Sequence, residues 1–267
     1  MTVNLELDNE LLAAQYERIS LERQFVAGQR LLRELELLPG ERVLDIGAGT
    51  GLLAEYAAGI VGAAGQVVGI DPLPLRIEIA QRKARSNLTF RVANAYDLSE
   101  FPDDSFDVAY MNAVFHWLPS KHEPLRQIVR ILKRRGRLAI SSGARGSPNP
   151  VHRIRESVLS RPPYNQYAAA LEPVVYRVSA DELDSLLRNA GFEVSKLLEL
   201  SSVRQRVSPE EAMQFSEASS FGNLLGHLPA ELRDQARREI KHELEREAQE
   251  NPAPRMRVQL VAVATKP

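Results

Sequence analysis

The sequence predicts an α/β fold in which a mostly parallel sheet is covered by helices on both faces. Short apolar segments alternate with helical ones between residues 42 and 142, and this alternation is typical of a parallel sheet. A glycine-rich stretch, "GAGTG", joins the first apolar segment to a helix. The 267 residues suffice for one large domain or for one domain with a sizeable insertion.

The first half of the chain supplies most of the predicted strands. A helix is expected over residues 8–37, where apolar residues recur at helical spacing until Pro39-Gly40 ends the segment. Strands are predicted over 42–46, 66–70, 88–93, 106–111 and 137–142. The helices between them are predicted over 50–59, 74–85 and 121–133. Pro74 supports the helix at 74–85, because proline fits the first turn of a helix.

The pattern changes after Ser142. Residues 143–150 are rich in turn formers, and residues 152–175 show no clear periodicity. Regular patterns then return as a helix from Ser179 or Ala180 to Gly191, a strand over 192–200, helices over 209–220 and 229–249, and a strand over 255–265. We therefore predict a core in residues 1–142, an insertion in residues 143–254 that includes one core helix and strand (179–200), and a final core strand in residues 255–267.

Composition narrows the class of protein. The formal net charge is -1, and basic and acidic residues alternate in the helix at 229–249, so we expect neither nucleic acid nor membrane as a partner. The absence of cysteine excludes disulfides, thiolate metal sites and cysteine nucleophiles. The amino-terminal "MTVNLELDNE" lacks an apolar signal core. We expect a cytoplasmic protein that is a monomer or a homodimer.

The glycine-rich stretch is the strongest functional signal. Glycines that follow a strand and open a helix let backbone approach a ligand beside free N–H groups. Gly47, Gly49 and Gly51 do not match the dinucleotide fingerprint, because its sixth position is Leu52 here. Asp71 ends the second strand, where an acid accepts hydrogen bonds from ribose hydroxyls. The expected ligand has a ribose but a smaller group than pyrophosphate at the glycines.

Four blocks in this order resemble the class I S-adenosylmethionine-dependent methyltransferases. They read "VLDIGAGTG", "VVGIDP", "VANAYDLSEFPDDSFDVAYMNAVFHWLP" and "LRQIVRILKRRGRLAISS". The resemblance covers residues 8–142 closely and the final strands more loosely, and it is strongest to the small-molecule members. It implies a Rossmann-like, doubly wound sheet of seven strands, mostly parallel with the last strand antiparallel, plus a helical insertion or lid.

The resemblance also implies a cofactor, S-adenosylmethionine, with S-adenosylhomocysteine as its product. Residues that match the loop around its methionine part are Asp45, Gly47, Gly49 and Gly51. Asp71 matches the acid on the ribose, and Pro72 and Leu73 would lie beside the adenine.

The remaining cofactor-binding positions match the family's pattern less closely. The family's acid after the third strand is replaced by Asn94, which keeps a carbonyl acceptor without the charge, and Ala95 would offer its N–H. Asn112 follows the fourth strand, where the family places a residue near the methionine part. The segment "YERISLERQFVAGQRLL" looks like one that closes over the cofactor. Tyr16 is its candidate contact, with a packing role as the alternative.

Methyl transfer from a sulfonium needs no metal, so no metal ligands are expected. The nucleophile must be held in line behind the methyl carbon, and its proton is removed where required. His116 follows the fourth strand, where open α/β sheets bind ligands, and is the candidate general base or substrate contact. A loop cap is its alternative role. The further substrate candidates are Trp117, Arg145 and Tyr164, with Arg145 suited to a carboxylate.

Methylation of a small organic molecule, most often at oxygen, is the expected function. One alternative is a protein that binds S-adenosylmethionine and catalyses a non-methylating step such as a cyclisation. Another is a cofactor-binding protein without catalysis, in which we would expect a degraded glycine loop. A nicotinamide oxidoreductase is disfavoured by Leu52 at the sixth fingerprint position.

Overall fold

A seven-stranded mixed sheet forms the frame of the molecule. The computed structural model describes residues 4–20, 24–147, 149–167, 173–204 and 207–267. The spatial order of the strands is β3-β2-β1-β4-β5-β7-β6. Strands β1 to β5 are parallel, and β7 runs antiparallel between β5 and β6. The strands are β1 Arg42–Ile46, β2 Gln66–Asp71, β3 Leu88–Val92, β4 Phe106–Asn112, β5 Leu132–Gly143, β6 Glu193–Arg204 and β7 Arg255–Thr265. This is the sheet that the resemblance implies.

Helices cover both faces of the sheet, which explains why its central strands are continuously apolar. One core joins α2 and α3 to β1, β2 and β4, and a second core lies on the opposite face with α5 and α7. The helices are α1 Glu10–Ser20, α2 Val26–Leu35, α3 Leu52–Val61, α4 Pro74–Gln81, α5 His122–Ile131, α6 Pro150–Leu159, α7 Ala180–Asn189, α8 Pro209–Ser219 and α9 Ala230–Glu250.

Two helical predictions need correction. The single helix expected over 8–37 is two helices, α1 and α2, and residues 21–23 between them lie outside the described residues. Helix α6 falls where no periodicity was expected. Asn149 caps it by accepting from the Val151 N–H, and Pro150 occupies its first turn. This cap, inside a stretch that was predicted to be a loop, was the available signal.

A third hydrophobic core lies outside the sheet. It combines apolar residues of α6, α8 and α9 with the segment after α8, and α8 also packs against α1. We call α1 and α8 the helical cover, because α1 places Tyr16 against Gly49 in the glycine loop and α8 packs against α1. In the part of the chain that the structure describes, no helix has the length and apolarity needed to cross a membrane.

Candidate active site

The glycine loop after β1 has backbone conformations that residues with side chains rarely adopt. Gly47, Gly49 and Gly51 have φ of 78°, 56° and 85°. A Cβ on Gly47 would lie 2.2 Å from Val114 Cγ2, and one on Gly51 would lie 2.7 Å from Phe90 Cζ. Protein packing and backbone geometry therefore both require glycine at positions 47 and 51. The ligand contact that the sequence predicts is a separate reason.

Asp71 at the end of β2 fixes this loop. Its carboxylate accepts hydrogen bonds from the N–H groups of Gly49 (2.9 Å) and Leu73 (3.0 Å). Burial raises the pKa of Asp71, while the nearby Arg76 guanidinium and the two N–H donors act in the opposite direction. Each carboxylate oxygen retains a free lone pair, so the group can serve the loop and a ligand hydroxyl together.

A small cavity of about 40 Å³ lies between this loop and the helical segment before α2. Asp45 and Asn112 line it, together with Tyr16, Gln24 and Gly47. Asp45 accepts from the Tyr110 hydroxyl (2.8 Å), and burial raises its pKa to about 7. The Asn112 Nδ2 donates to the Gln24 carbonyl, while its buried Oδ1 has no partner among the described residues. A carboxylate and an orphan amide oxygen in one cavity suit a cationic donor such as an ammonium group.

Tyr16 closes the cavity from the side of α1. Its ring lies over Gly49, with Cε1 3.0 Å from the position that a Cβ would take there, and its hydroxyl donates to Gln24 Oε1. The Arg76 guanidinium stacks 3.8 Å from the centre of the same ring. Arg76 Nη2 also donates to the Ala218 carbonyl of α8 (2.7 Å), so one buried cation ties together α4, α1 and α8.

The residues expected beside the adenine follow the carboxyl ends of β2 and β3. Leu73 is buried, Pro72 is half-buried and Ala95 is buried. Asn94 is exposed just after β3, and its side-chain oxygen accepts from the Tyr96 N–H (2.9 Å). This bond uses one of the two lone pairs on the Asn94 oxygen.

His116 and Trp117 lie on a short 3₁₀ turn after β4. His116 Nδ1 lies 3.2 Å from Ser142 Oγ, at the end of β5. Burial, followed by the positive charge of Arg177, lowers the pKa of His116 well below its usual value. The ring is therefore neutral at neutral pH. Trp117 packs against Phe221, which follows α8, with ring centres 5.6 Å apart.

The structure does not bring Arg145 and Tyr164 into this site. Arg145 is exposed and pairs with Glu182 on α7 (2.6 Å). Tyr164 is buried in the third core, where its hydroxyl donates to Glu239 on α9. Sequence position after β5 suggested Arg145, whose Nε donates instead to the backbone carbonyl of Arg177 (3.3 Å).

Two further residues near His116 were not predicted from the sequence. Lys121 is buried, and its ammonium donates to the carbonyls of Phe115 and Leu118, which fixes the 3₁₀ turn. Burial lowers the pKa of Lys121 to about 8. Arg177 crosses the end of β5, with Nε 3.2 Å from the position that a Cβ would take at Gly143. Only the tertiary path of the chain after β5 brings Arg177 to this place.

Known proteins share both the sequence and the fold of this chain. The family model "Methyltransferase domain" matches residues 44–140. O-methyltransferase cnsE of Penicillium expansum is 36% identical over 211 residues, which cover 75% of this chain and 70% of that protein. O-methyltransferase resE of Aspergillus sclerotiorum is 33% identical over 71% of this chain and 69% of its own length. UbiE of Vibrio parahaemolyticus, a ubiquinone/menaquinone biosynthesis C-methyltransferase, is 29% identical over 61% of this chain and 68% of its length.

Solved structures share the whole fold at lower identity. One is a structure of a complex between the Haloferax volcanii Trm112 methyltransferase activator and a methyltransferase, with a TM-score of 0.62, 19% identity and coverage of 97% of this chain and 98% of that chain. Another is the [4+2]-cyclase SpnF, with a TM-score of 0.61, 21% identity and coverage of 90% and 80%.

Proposed function

The chain belongs to the class I S-adenosylmethionine-dependent methyltransferases, and we propose that it methylates an oxygen atom of a small organic molecule. The likeness to two O-methyltransferases at 36% and 33% identity supports oxygen as the acceptor. The C-methyltransferase UbiE is a less similar relative, at 29%. A sulfonium methyl group is already electrophilic, so when S-adenosylmethionine is bound it supplies an activated methyl group without a metal.

The cavity beside the glycine loop is the observation that carries this proposal. Its orphan Asn112 oxygen and the Asp45 carboxylate fit the ammonium of a methionine group. Asp71 accepts hydrogen bonds from the ribose hydroxyls while it continues to hold Gly49. Pro72, Leu73, Asn94 and Ala95 serve the adenine, and Tyr16 covers the cofactor.

His116 and Trp117 would bind the acceptor at the edge that follows β4. A neutral imidazole can accept the proton of a hydroxyl acceptor, and the nearby Ser142 hydroxyl orients the ring. Trp117 and Phe221 form an apolar wall that excludes water from the transfer. Arg145 and Tyr164 are left out of the proposed site, because the Arg145 guanidinium pairs with Glu182 and the Tyr164 hydroxyl donates to Glu239.

Calorimetric titration tests the cofactor. We expect S-adenosylmethionine and S-adenosylhomocysteine to bind, and NADH not to bind. Asp71→Ala removes a charge-assisted acceptor worth about 1.5–3 kcal/mol, so affinity for both sulfur ligands should fall by about 10- to 100-fold. No binding of either ligand would overturn the assignment.

Transfer to oxygen is tested with S-adenosylmethionine carrying a ¹³C-methyl group. The enzyme is incubated with phenols and small organic acids, and the new methyl resonance is identified by ¹³C NMR. O-methyl products support the proposal. Methyl groups found only on carbon or nitrogen contradict it.

A further inference from the structure

Basic and imidazole side chains gather beside His116, outside the cofactor cavity. Arg177 lies across the end of β5 at Gly143. The backbone of the same segment is fixed on the site, since the Tyr176 N–H donates to the His116 carbonyl (2.7 Å). His152 on α6 lies close enough to Arg177 and His116 to interact electrostatically with both. We call His116, His152 and Arg177 the basic cluster.

Two members of the basic cluster have buried polar atoms without partners. His152 is only 5% exposed, and neither of its ring nitrogens has a hydrogen-bond partner among the described residues. The Arg177 Nε is also buried and unpaired there. Folded proteins keep few buried polar atoms without hydrogen-bond partners, because each one lowers stability. Three such atoms on two neighbouring side chains indicate a place built for a polar ligand.

The charges around the basic cluster indicate the sign of that ligand. The charged groups that act on His152 are the cations Arg177 and Arg155. The cations that lower the pKa of His116 are, in order, Arg177, Arg257 and Lys121. Arg177 itself is affected by one acid, Glu156 on α6, and Glu156 is exposed. A half-buried guanidinium with so little compensation favours an anion.

We propose that the substrate is a small carboxylic acid whose carboxylate is bound by Arg177 and His152, next to His116. The proposal rests on the proposed function and adds the chemical class of its substrate. A guanidinium binds a carboxylate through two parallel N–H donors, and a neutral imidazole adds one more.

The charge balance favours a carboxylate over a dianion. Burial and Arg177 lower the pKa of His152 to about 3, so the imidazole stays neutral and the proposed charge partner of the ligand is the Arg177 guanidinium. A single negative charge neutralises it. Position after β5 had predicted this role for Arg145, whose guanidinium pairs with Glu182.

Calorimetry on the full chain tests the proposal in the presence of saturating S-adenosylhomocysteine. The probes are benzoate and trans-cinnamate, each with its neutral carboxamide as a matched control. We expect at least one carboxylate to bind at least tenfold more tightly than its amide. Arg177→Gln should weaken binding of that carboxylate at least tenfold. Arg134→Gln, at an exposed arginine in the first half of β5, should change it less than twofold.

Histidine NMR adds a test that needs no variant. We expect a saturating carboxylate probe to raise the pKa of His152, because the new anion offsets the charge of Arg177.

The variant Arg177→Lys keeps the positive charge but not the paired donors. It should bind the probe with an affinity between those of wild type and Arg177→Gln.

The outcomes separate this proposal from the function on which it rests. Failure of the wild-type chain to bind S-adenosylhomocysteine overturns the proposed function. If that ligand binds normally, the carboxylate site is overturned by any of three results. These are no binding of either carboxylate, equal binding of carboxylate and amide, or no change in affinity for Arg177→Gln.

Discussion

Asp45 is the residue whose protonation should control cofactor binding. Burial, opposed by the Tyr110 hydrogen bond and assisted by the charge of Asp71, raises its pKa from 3.8 to about 7. A raised acid pKa means that the folded state holds the proton, so this group stabilises the fold below about pH 4 and loses that contribution as pH rises through 7. Binding of an ammonium group requires the opposite, ionised form.

Affinity for S-adenosylhomocysteine should therefore increase as pH rises through about 7. Below that pH we expect a loss of up to about tenfold per unit, because one proton must leave Asp45. Calorimetry over a pH series measures it. Asp45→Asn is the control, which should bind more weakly with a flat profile through this range. A flat wild-type profile would contradict the role given to Asp45.

Gly47 should be the least replaceable glycine of the loop. Alanine there has an unfavourable φ, which costs about 1–2 kcal/mol, and its Cβ would clash with Val114, which adds about 1–3 kcal/mol. Gly40→Ala is the matched control, with φ of 86° and no heavy atom within 4 Å of the added carbon. Denaturant unfolding should show a clearly larger loss for Gly47→Ala. Val114→Ala in the same chain should recover the part due to the clash, and equal losses at both glycines would count against this account.

At the scale of elements, Arg76 should hold the helical cover in place. Its guanidinium joins the Tyr16 ring on α1 to the Ala218 carbonyl of α8. Arg76→Met removes a buried cation–π contact and a charged hydrogen bond. We expect hydrogen exchange in α1 and α8 to become faster by about tenfold or more, with β1 unchanged. The control is Arg82→Met, at an exposed position at the end of the same helix. It should leave the hydrogen-exchange rates of α1, α8 and β1 unchanged.

Strands were easier to predict than the parts that complete the site. Central strands such as β1 are apolar throughout because both faces are covered, so local sequence alone indicates them. The elements that bear Asp45, Asp71 and His116 follow the predicted pattern closely. Helix α6 was missed because it is only ten residues long and its capping residues, Asn149 and Pro150, lie in a stretch of turn formers that favours a loop. His152 and Arg177 meet only through the packing of α6, which no local pattern encodes.

At the scale of the whole molecule, the size of the cavity and the position of the helical cover bear on how the cofactor enters. A volume of about 40 Å³ holds only a few water molecules, while small-molecule sites measure about 300–1,000 Å³. We therefore predict that the cofactor enters after Tyr16 and the helical cover move away from the glycine loop, in an opening step that involves the amino-terminal helix and the segment around α8 together.

The single tryptophan can report this opening, since Trp117 packs against Phe221 just beyond α8. In stopped-flow mixing with S-adenosylhomocysteine, the observed rate of the fluorescence change should level off at high ligand concentration, at the rate of opening. Arg76→Met should raise that plateau, because it loosens the cover. A rate that keeps rising linearly with ligand concentration would mean that the open form predominates in solution, and that the closed packing of Tyr16 over Gly49 does not control entry.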